Sequence, residues 1–542
     1  MSRSNRRRAG TVAIAAIASG LMLASCASNG DSSSDSSNGS GDTGLQTEAG
    51  AIGIIGDQAD GGTAVDGGTL NFAGFSPVAS LDPTKTQPAG STGGTEMAAI
   101  YDLLVRYDAS THTYEPQLAK SLTESDDHLS WTLKLRDGVT FSDGTPLNAD
   151  AVVASTNRFN ERHGGNSQAF LAGVKSVEAT DESTVVYTMN QPWSEFPALL
   201  VFGHGMVVAP SSDGADGAFT PIGAGAFTFE SLTPGSDLVL KAREDYWNGK
   251  PHLDSLKFVT IADEQPKIDA LNTGGIQMAF LRNAAAIDDA KATLPGFYET
   301  SSLSDVIQIN QREGRPGADV RVRQAMQMTI DPEVINVRAK EGKGMPGTEI
   351  FQSWSKWHND VPAMTLNVDE AKTLVEEAKA DGFDGNITYF TPGNQSSQAT
   401  ALAVQAMLAP IGINVNVEYA ASVTDVVKRL YVDKDFDIAT AAYSVGDAAP
   451  FMRLYSALDS TSSNNILGVN DPKMDQILTD VQTAKDDDAK RTALAALQTE
   501  VNATAPFLTL SAGANFVPWT DNVYGAVPSM DAIMLLDQAW IK

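Results

Sequence analysis

The chain has 542 residues, 42% hydrophobic and 19% charged, which is enough to build two or three domains with full cores. Its net charge of −29 repels nucleic acid, so the composition argues against a nucleic-acid partner. The charge indicates a solvated surface, and a preference for cationic ligands is the alternative interpretation. The chain contains one cysteine, so no intramolecular disulfide can form.

The N-terminus has the pattern of an export signal. Arg3 and three further arginines at positions 6–8 form a basic start, and residues 9–25 carry no charge. This uncharged run of 17 residues is shorter than the ~20 that a membrane-spanning helix needs. We therefore predict that residues 1–25 form a signal peptide.

A segment of low complexity follows the signal. Residues 26–66 are rich in Ser, Gly, Asp and Asn, and only the patch at 52–55 is apolar. Such a composition buries too little surface to offset the entropy of ordering the chain. We predict a disordered tether over 26–66, with the folded part beginning at Gly67.

The stretch at 114–159 has the clearest local signals. Trp131, Leu133 and Leu135 alternate with polar residues, which predicts a half-buried strand. Asp137-Gly138 predicts a turn, and residues 139–141 are then interpreted as the returning strand of a hairpin. Asn148 is expected to cap the helix that follows.

The same stretch resembles a known family. The patterns PQLA.S, W.L.LRDGV.F.DGTP and ADAVV.S resemble the signature of the extracellular solute-binding proteins of the peptide/nickel class, family 5, which serve bacterial ABC importers. Further blocks, DYW.GKP at 245–251 and DVRVRQAM at 319–326, extend the resemblance from about residue 67 to the end. The resemblance carries no catalytic residue.

The family resemblance implies a two-lobe α/β fold of the periplasmic-binding-protein type (class II, large), in which a two-strand hinge joins the lobes. An extra domain is inserted in lobe I, and the protein is expected to be a monomer. Alternating strands and helices between residues 369 and 443 independently favour an α/β lobe. The predicted ranges are 67–110, 218–311 and 500–542 for lobe I, 111–217 for the inserted domain, and 312–499 for lobe II.

The signal ends in the residues LASC, and this resembles a bacterial lipoprotein box. The resemblance implies cleavage before Cys26 and lipidation, including palmitate, of its thiol and amine. The protein would then be anchored to the cell membrane with its folded part on the extracellular face. The alternatives are an uncleaved anchor or an incidental cysteine.

Candidate ligand-binding residues follow predicted strands, because loops at strand ends face the cleft in α/β proteins. In peptide-binding members a similar place has an aromatic residue, then GD or AD, then proline, and the acid binds the α-ammonium of the peptide. The resemblance implies this role for Asp447, with Tyr443 where tryptophan is common. The alternative for Asp447 is a turn or helix cap. Phe75 and Trp354 are further candidates, each with core packing as its alternative.

The chain has no recognisable enzyme or metal motif. There is no G-x-S-x-G, H-E-x-x-H or phosphate-binding loop, and the six histidines are scattered with no metal-type spacing. We expect no catalytic residue, no metal and no cofactor. The family resemblance implies that the protein captures oligopeptides or dipeptides for an ABC permease. Another solute (an oligosaccharide or a metal chelate), a sensor without transport, and an extracellular hydrolase are the alternatives.

Overall fold

The computed structural model describes residues 52–542. The predicted signal peptide at 1–25, Cys26 and most of the predicted tether lie outside the described residues. The names lobe I, inserted domain and lobe II are kept below for the ranges predicted above.

Strands occur in every predicted part of the described chain. They are Gly53–Ile55 (β1), Thr69–Ala73 (β2), Val105–Asp108 (β3), Thr113–Pro116 (β4), Ala119–Glu124 (β5), Ser130–Leu135 (β6), Val174–Asp181 (β7), Thr184–Met189 (β8), Phe227–Thr233 (β9), Asp237–Ala242 (β10), Ser255–Val259 (β11), Met278–Ala279 (β12), Gly296–Ile309 (β13), Met345–Pro346 (β14), Asn386–Pro392 (β15), Asn414–Ala420 (β16), Ile438–Ala441 (β17), Phe507–Pro518 (β18), Val523–Tyr524 (β19), Val527–Pro528 (β20), Met534–Leu535 (β21) and Trp540–Ile541 (β22).

The helices are concentrated in lobe II. They are Gly94–Tyr101 (α1), Ala149–Glu161 (α2), Ser167–Gly173 (α3), Glu264–Asn272 (α4), Ala284–Lys291 (α5), Val320–Gln327 (α6), Pro332–Ala339 (α7), Val368–Ala380 (α8), Gln395–Leu408 (α9), Val423–Val427 (α10), Pro450–Leu458 (α11), Pro472–Thr483 (α12) and Asp487–Thr504 (α13). Between residues 52 and 542, none of these helices combines the length and the apolar composition that crossing a membrane would need.

Three larger sheets organise the described chain. A five-stranded sheet with the order β12-β2-β11-β10-β9 lies in lobe I, and a four-stranded antiparallel sheet with the order β5-β6-β8-β7 lies in the inserted domain. The third sheet has the order β14-β18-β13-β17-β15-β16, with β1 added alongside β13. In lobe II, β15 pairs parallel with β16 and β17, as expected for strands connected through helices.

Two long strands connect the lobes. β13 and β18 pair antiparallel along most of their length, with register shifts between Ser301 and Asp305. One end of β18 forms a bridge from Phe516 to Leu281 of lobe I, whereas the far end of β13 pairs with β17 of lobe II. The chain therefore crosses between the lobes on two adjacent strands, and the predicted two-lobe α/β fold agrees with this arrangement.

Each lobe packs around apolar side chains. In lobe II, a core that includes Val375, Tyr389 and Val404 lies between the parallel strands and helices α8 and α9. A smaller core in lobe I, with Ile268 and Ile287, lies under α4 and α5. Burial of apolar surface is the main term that stabilises such layers.

The structure contradicts the predicted start of the folded part. Strand β1 pairs antiparallel with β13, with Gly53 opposite Tyr298 and Ile55 opposite Gly296. Gln58 also accepts a hydrogen bond from Trp519 Nε1 at 3.2 Å. The tether prediction is therefore wrong for residues 52–66. Composition averaged over the whole segment hid a short apolar strand that fills the open edge of β13.

The predicted hairpin in the stretch 114–159 is also wrong. Strand β6 forms where it was predicted, but it pairs with β5 and β8 rather than with residues 139–141. Thr140 forms only an isolated bridge with Pro146. A period of two identifies a strand without identifying its partner. The predicted helix cap is confirmed, since Asn148 Oδ1 accepts a hydrogen bond from Ala151 N at 2.9 Å.

Candidate functional site

A cleft with two cavities lies at the carboxyl end of β17, between the lobes. The larger cavity has a volume of about 730 Å³ and the smaller about 340 Å³. Ala442, the first residue after β17, lines both. Residues from lobe I and from lobe II line each cavity, so the cleft exists only because the two lobes face each other.

The larger cavity has two chemically different walls. Residues 84–87 of lobe I and 163–168 of the inserted domain supply a mostly polar wall. On the lobe II side, Val427, Leu430 and Tyr431 supply apolar surface, and the Val427 and Tyr431 side chains are 49% and 48% exposed. This cavity can therefore accept a ligand with both hydrogen-bonding and apolar groups.

The structure places Tyr443 in the wall of the larger cavity. Its ring packs edge-on against Phe507, with centroids 5.3 Å apart, and its hydroxyl accepts a hydrogen bond from Gln308 Nε2 at 3.3 Å. Burial raises the pKa of the Tyr443 phenol above its usual value, so the side chain stays neutral. A neutral, positioned phenol is suited to hydrogen bonding and to apolar contact.

The smaller cavity contains Phe75 and a cation that the sequence analysis missed. The Phe75 ring is 37% exposed and lies edge-on to Phe280, at 5.8 Å between centroids. The guanidinium of Arg282 lies 5.6 Å from the centre of the Phe75 ring. Arg282 is three residues beyond the end of β12, so the strand-end argument that selected Phe75 would also have selected Arg282.

The structure places Asp447 outside the set of residues that line the two cavities. Its carboxylate accepts hydrogen bonds from Ser355 Oγ at 2.6 Å and from Lys356 N at 2.9 Å, and its carbonyl accepts one from Trp357 Nε1 at 2.8 Å. Burial raises the pKa of the Asp447 carboxyl. These contacts favour a structural role, and the ammonium-binding role stays a prediction.

Trp354 is not a lining residue of either cavity. Its indole Nε1 donates to Gln352 Oε1 at 3.1 Å, and the Gln352 amide donates in turn to Met345 O at 3.0 Å. The structure therefore brings Tyr443 and Phe75 to the cleft but places Trp354 in a separate local network.

Polar contacts join the parts of the molecule around the cleft, and three of them involve Arg282, Arg453 and Lys490. Arg282 Nη2 donates to Ser444 Oγ at 2.9 Å, and Arg453 Nη2 lies 2.6 Å from Asp531 Oδ2. The third is a buried pair between Glu195 of the inserted domain and Lys490 of lobe II. Each of these contacts requires the parts that it joins to lie against each other beside the cleft.

No set of three or more His, Cys, Asp or Glu side chains between residues 52 and 542 is arranged to hold a metal ion. His204, for example, is buried against Phe170, with ring centroids 4.5 Å apart, and its Nε2 contacts Asn160 Oδ1 at 2.9 Å. Burial lowers the pKa of His204 to about 3, so its ring is neutral and forms part of the core.

Comparison with curated proteins identifies relatives over most of the chain. It is 29% identical over 394 residues to the probable D,D-dipeptide-binding periplasmic protein DdpA of Escherichia coli, covering 68% of this chain and 74% of the relative. It is 26% identical over 509 residues to protein XP55 of Streptomyces lividans, covering 89% and 90%.

Solved structures share the fold. The oligopeptide-binding protein AppA of Bacillus subtilis, in complex with a nonapeptide, superposes with a TM-score of 0.75 at 21% identity, covering 89% of this chain and 100% of that one. The binding protein DppA of Helicobacter pylori, in complex with the peptide STSA, gives 0.76 at 22% identity, covering 88% and 98%. These likenesses confirm the two-lobe α/β fold.

The family assignment comes from the sequence itself. Residues 113–465 match the family described as bacterial extracellular solute-binding proteins, family 5. This match spans more than half of the chain and includes the inserted domain and most of lobe II. The chain therefore belongs to the bacterial extracellular solute-binding proteins of family 5, the solute-binding components of ABC importers.

Proposed function

We propose that the protein captures short peptides in the cleft between its lobes and delivers them to the permease of an ABC importer. The observation that carries this proposal is the pair of cavities that meet at Ala442, with volumes of about 730 and 340 Å³. Pockets of about 300–1,000 Å³ are typical of small-molecule sites, and a chain-like ligand suits two joined compartments. Relatives named for D,D-dipeptide, glutathione and general peptide binding support the peptide class.

Hinge closure is the proposed mechanism of capture. A ligand that contacts lobe I and lobe II together binds the closed form more tightly and shifts the population toward it. β13 and β18 are the only long strands in the described chain that run through both lobes, so bending there opens the cleft without unfolding either core. The closed, loaded form then docks on the permease as a monomer.

We propose that export and lipidation place this binding domain outside the cell. Residues 1–25 begin with a basic stretch, continue with an uncharged run and end in small residues, and the LASC pattern lies at 23–26. This order supports cleavage before Cys26 and anchoring by acyl chains. Labelled palmitate supplied to an expressing bacterium is expected to enter the wild-type chain but not Cys26→Ser. Equal labelling of the two chains would contradict the anchor.

A second class of solute is supported by the charges of the smaller cavity. Arg282, Lys340 and Lys343 line it, so an anionic non-peptide solute would also find partners there. Solved structures of this fold include one bound to agropinic acid and one bound to Fe(III)-EDTA. A chelate or a sugar acid therefore stays a candidate alongside peptides, as does a sensing role without transport.

Thermal unfolding of the chain from residue 27 tests the solute class. Pools of di- to nonapeptides, metal chelates and oligosaccharides are added separately, and a ligand of the folded state stabilises it by roughly 2.7 kcal/mol at a hundred times its dissociation constant. A rise in Tm with peptides supports the proposal. A rise only with chelates or sugars would keep solute binding and overturn the peptide assignment.

A further inference from the structure

Arg282 stands out among the residues of the smaller cavity because so little of its hydrogen-bonding capacity is used. Its guanidinium is half-buried and makes one side-chain hydrogen bond, from Nη2 to Ser444 Oγ at 2.9 Å. Within residues 52–542 it has no carboxylate within ion-pair distance, whereas Arg453, which lines the larger cavity, pairs with Asp531. A guanidinium presents five N–H donors, so most of those of Arg282 have no acceptor in the described part of the chain.

Glu264 also lines this cavity, and it forms no ion pair with the guanidinium of Arg282. Its carboxylate oxygens accept hydrogen bonds from the backbone N–H groups of Arg282, at 3.1 Å, and of Asn283, at 2.9 Å. Glu264 therefore stabilises the turn before α5, which fixes where the Arg282 side chain starts.

The other acids of the cavity are also engaged. Asp305 pairs with Lys340, and Asp288 pairs with Lys343 at 3.3 Å. Asp531, which lies close enough to act on Arg282 through space, is held by Arg453 instead. The cavity thus contains a guanidinium whose charge no side chain of the described chain balances by direct contact.

Such an arrangement costs free energy unless something else binds there. A charge removed from water without a partner is destabilising, and burial accordingly lowers the pKa of Arg282. Ser444, which accepts the hydrogen bond from Arg282, adds to this cost. Its left-handed φ of 51° is unfavourable for residues other than glycine. Uncompensated charge and backbone strain at one place are typical of ligand sites rather than of cores.

We propose that Arg282 binds a carboxylate of the captured solute in the smaller cavity, an inference that rests on the proposed function. The planar guanidinium matches a planar carboxylate, which can accept two N–H groups at once. Phe75 lies against the guanidinium at 5.6 Å and limits its orientation. The rest of the solute extends past Ala442 into the larger cavity.

The carboxylate has two chemical sources, the C-terminus of a peptide or an acidic side chain. The test therefore uses matched probes: Ala-Ala-Ala, its C-terminal amide, Ala-Glu-Ala-amide and Ala-Gln-Ala-amide. Succinate and succinamide are added as non-peptide probes. Each is titrated calorimetrically against the wild-type chain from residue 27 and against Arg282→Met, Arg282→Lys and Lys257→Met.

The expected result is that the acid form of at least one pair binds the wild type about tenfold or more tightly than its amide, since a hydrogen bond to a charged group contributes that much. In Arg282→Met this preference is lost. Arg282→Lys keeps part of it, because charge remains but the planar fork is gone. Lys257→Met, which removes a lysine of lobe I that lines neither cavity, changes the preference by less than about threefold.

The unfolding temperature without ligand separates recognition from folding. Replacing a half-buried, unbalanced cation by methionine leaves Tm unchanged or raises it, whereas a structural arginine would lower it. Equal binding of acid and amide by the wild type, or an unchanged acid preference in Arg282→Met, would overturn this inference. If no peptide binds but the wild type still binds succinate more tightly than succinamide, the peptide function alone would be overturned.

Discussion

Arg453 of α11 and Asp531 near the C-terminus form an ion pair at 2.6 Å that joins lobe II to lobe I beside the cleft. Both side chains are about one-fifth exposed, at 21% and 18%. Asp531 also donates its backbone N–H to Glu299 on β13 at 3.2 Å. The ion pair between the lobes is therefore hydrogen-bonded, through Asp531, to β13, one of the two strands that cross between the lobes.

We expect Asp531→Asn to weaken ligand binding by removing this contact from the closed form. A partly exposed pair contributes about 1 kcal/mol, so the dissociation constant should rise about fivefold. Calorimetric titration with any peptide that raises the wild-type Tm measures the change. Lys257→Met, which breaks a pair with Asp237 inside lobe I, is the control and should leave affinity unchanged. An unchanged affinity in Asp531→Asn would show that the pair does not contribute to closure.

Asp447→Ala is expected to lower stability rather than to abolish ligand binding. The substitution leaves Ser355 Oγ and the Lys356 N–H without their acceptor, which costs about 2 kcal/mol. Chemical unfolding measures the loss, and Asp447→Asn should recover part of it. If Asp447→Ala instead loses peptide binding with an unchanged unfolding midpoint, Asp447 is the ammonium anchor that the sequence predicted.

Lys490→Met should be strongly destabilising because it leaves Glu195 buried without a cation. Both side chains are 7% exposed, and they join α13 to the inserted domain. Breaking a buried pair on one side typically costs 3–5 kcal/mol, so about that loss is expected in urea unfolding. The double substitution Glu195→Met with Lys490→Met should recover most of it. Lys485→Met, in an exposed pair with Asp486, is the control with little effect.

Glu96 should make stability fall as pH rises through the weakly acidic range. Burial at the start of α1 raises its pKa to about 7, so the folded state holds a proton that the unfolded chain releases above its ordinary pKa of 4.5. This contribution is fully present below pH 4.5 and is lost by about pH 7. Between pH 4 and pH 8, the free energy of unfolding of Glu96→Gln should rise, relative to that of the wild type, by on the order of 3 kcal/mol. Parallel pH profiles of the two chains in urea unfolding would contradict this.

Strand β1 should contribute measurably to the stability of lobe I. Ile55 packs against the lobe I core, whereas Ile54 on the same strand is 58% exposed. Ile55→Ser should lower the free energy of unfolding by about 1–2 kcal/mol, and Ile54→Ser should have almost no effect. Equal effects of the two substitutions would indicate that residues 52–55 do not form a fixed strand in solution.

Local signals in the sequence predicted local structure well. Asn148 caps α2, and the alternation of elements between α8 and β17 appears as predicted. Each of these depends on neighbours within a few residues. The hairpin at 131–141 failed because β6 takes both partners from elsewhere in the chain, and a strand pattern carries no information about its partner.

The candidate site was predicted only in part. Tyr443 and Phe75 do line the cleft, because both lie just after strands and strand ends share one edge of a sheet. Asp447 also follows a predicted strand, but its carboxylate is bonded within lobe II, and Trp354, proposed as an aromatic of lobe II, is bonded there as well. Arg282 was missed although it too lies just beyond a strand, and the sequence does not show that no acid lies within ion-pair distance of its guanidinium.

The sequence by itself determined the family, the broad α/β class and the positions of most helices, because a family signature and short-range periodicity are both written along the chain. Tertiary structure alone decided which strands cross between the lobes, that residues 52–55 join the sheet, and which side chains face the cleft. Those outcomes depend on pairing and charge balance between residues far apart in the chain, such as Arg282 and Ser444, which are 162 positions apart. A contact between distant positions depends on the packing of everything between them, and no local pattern encodes it.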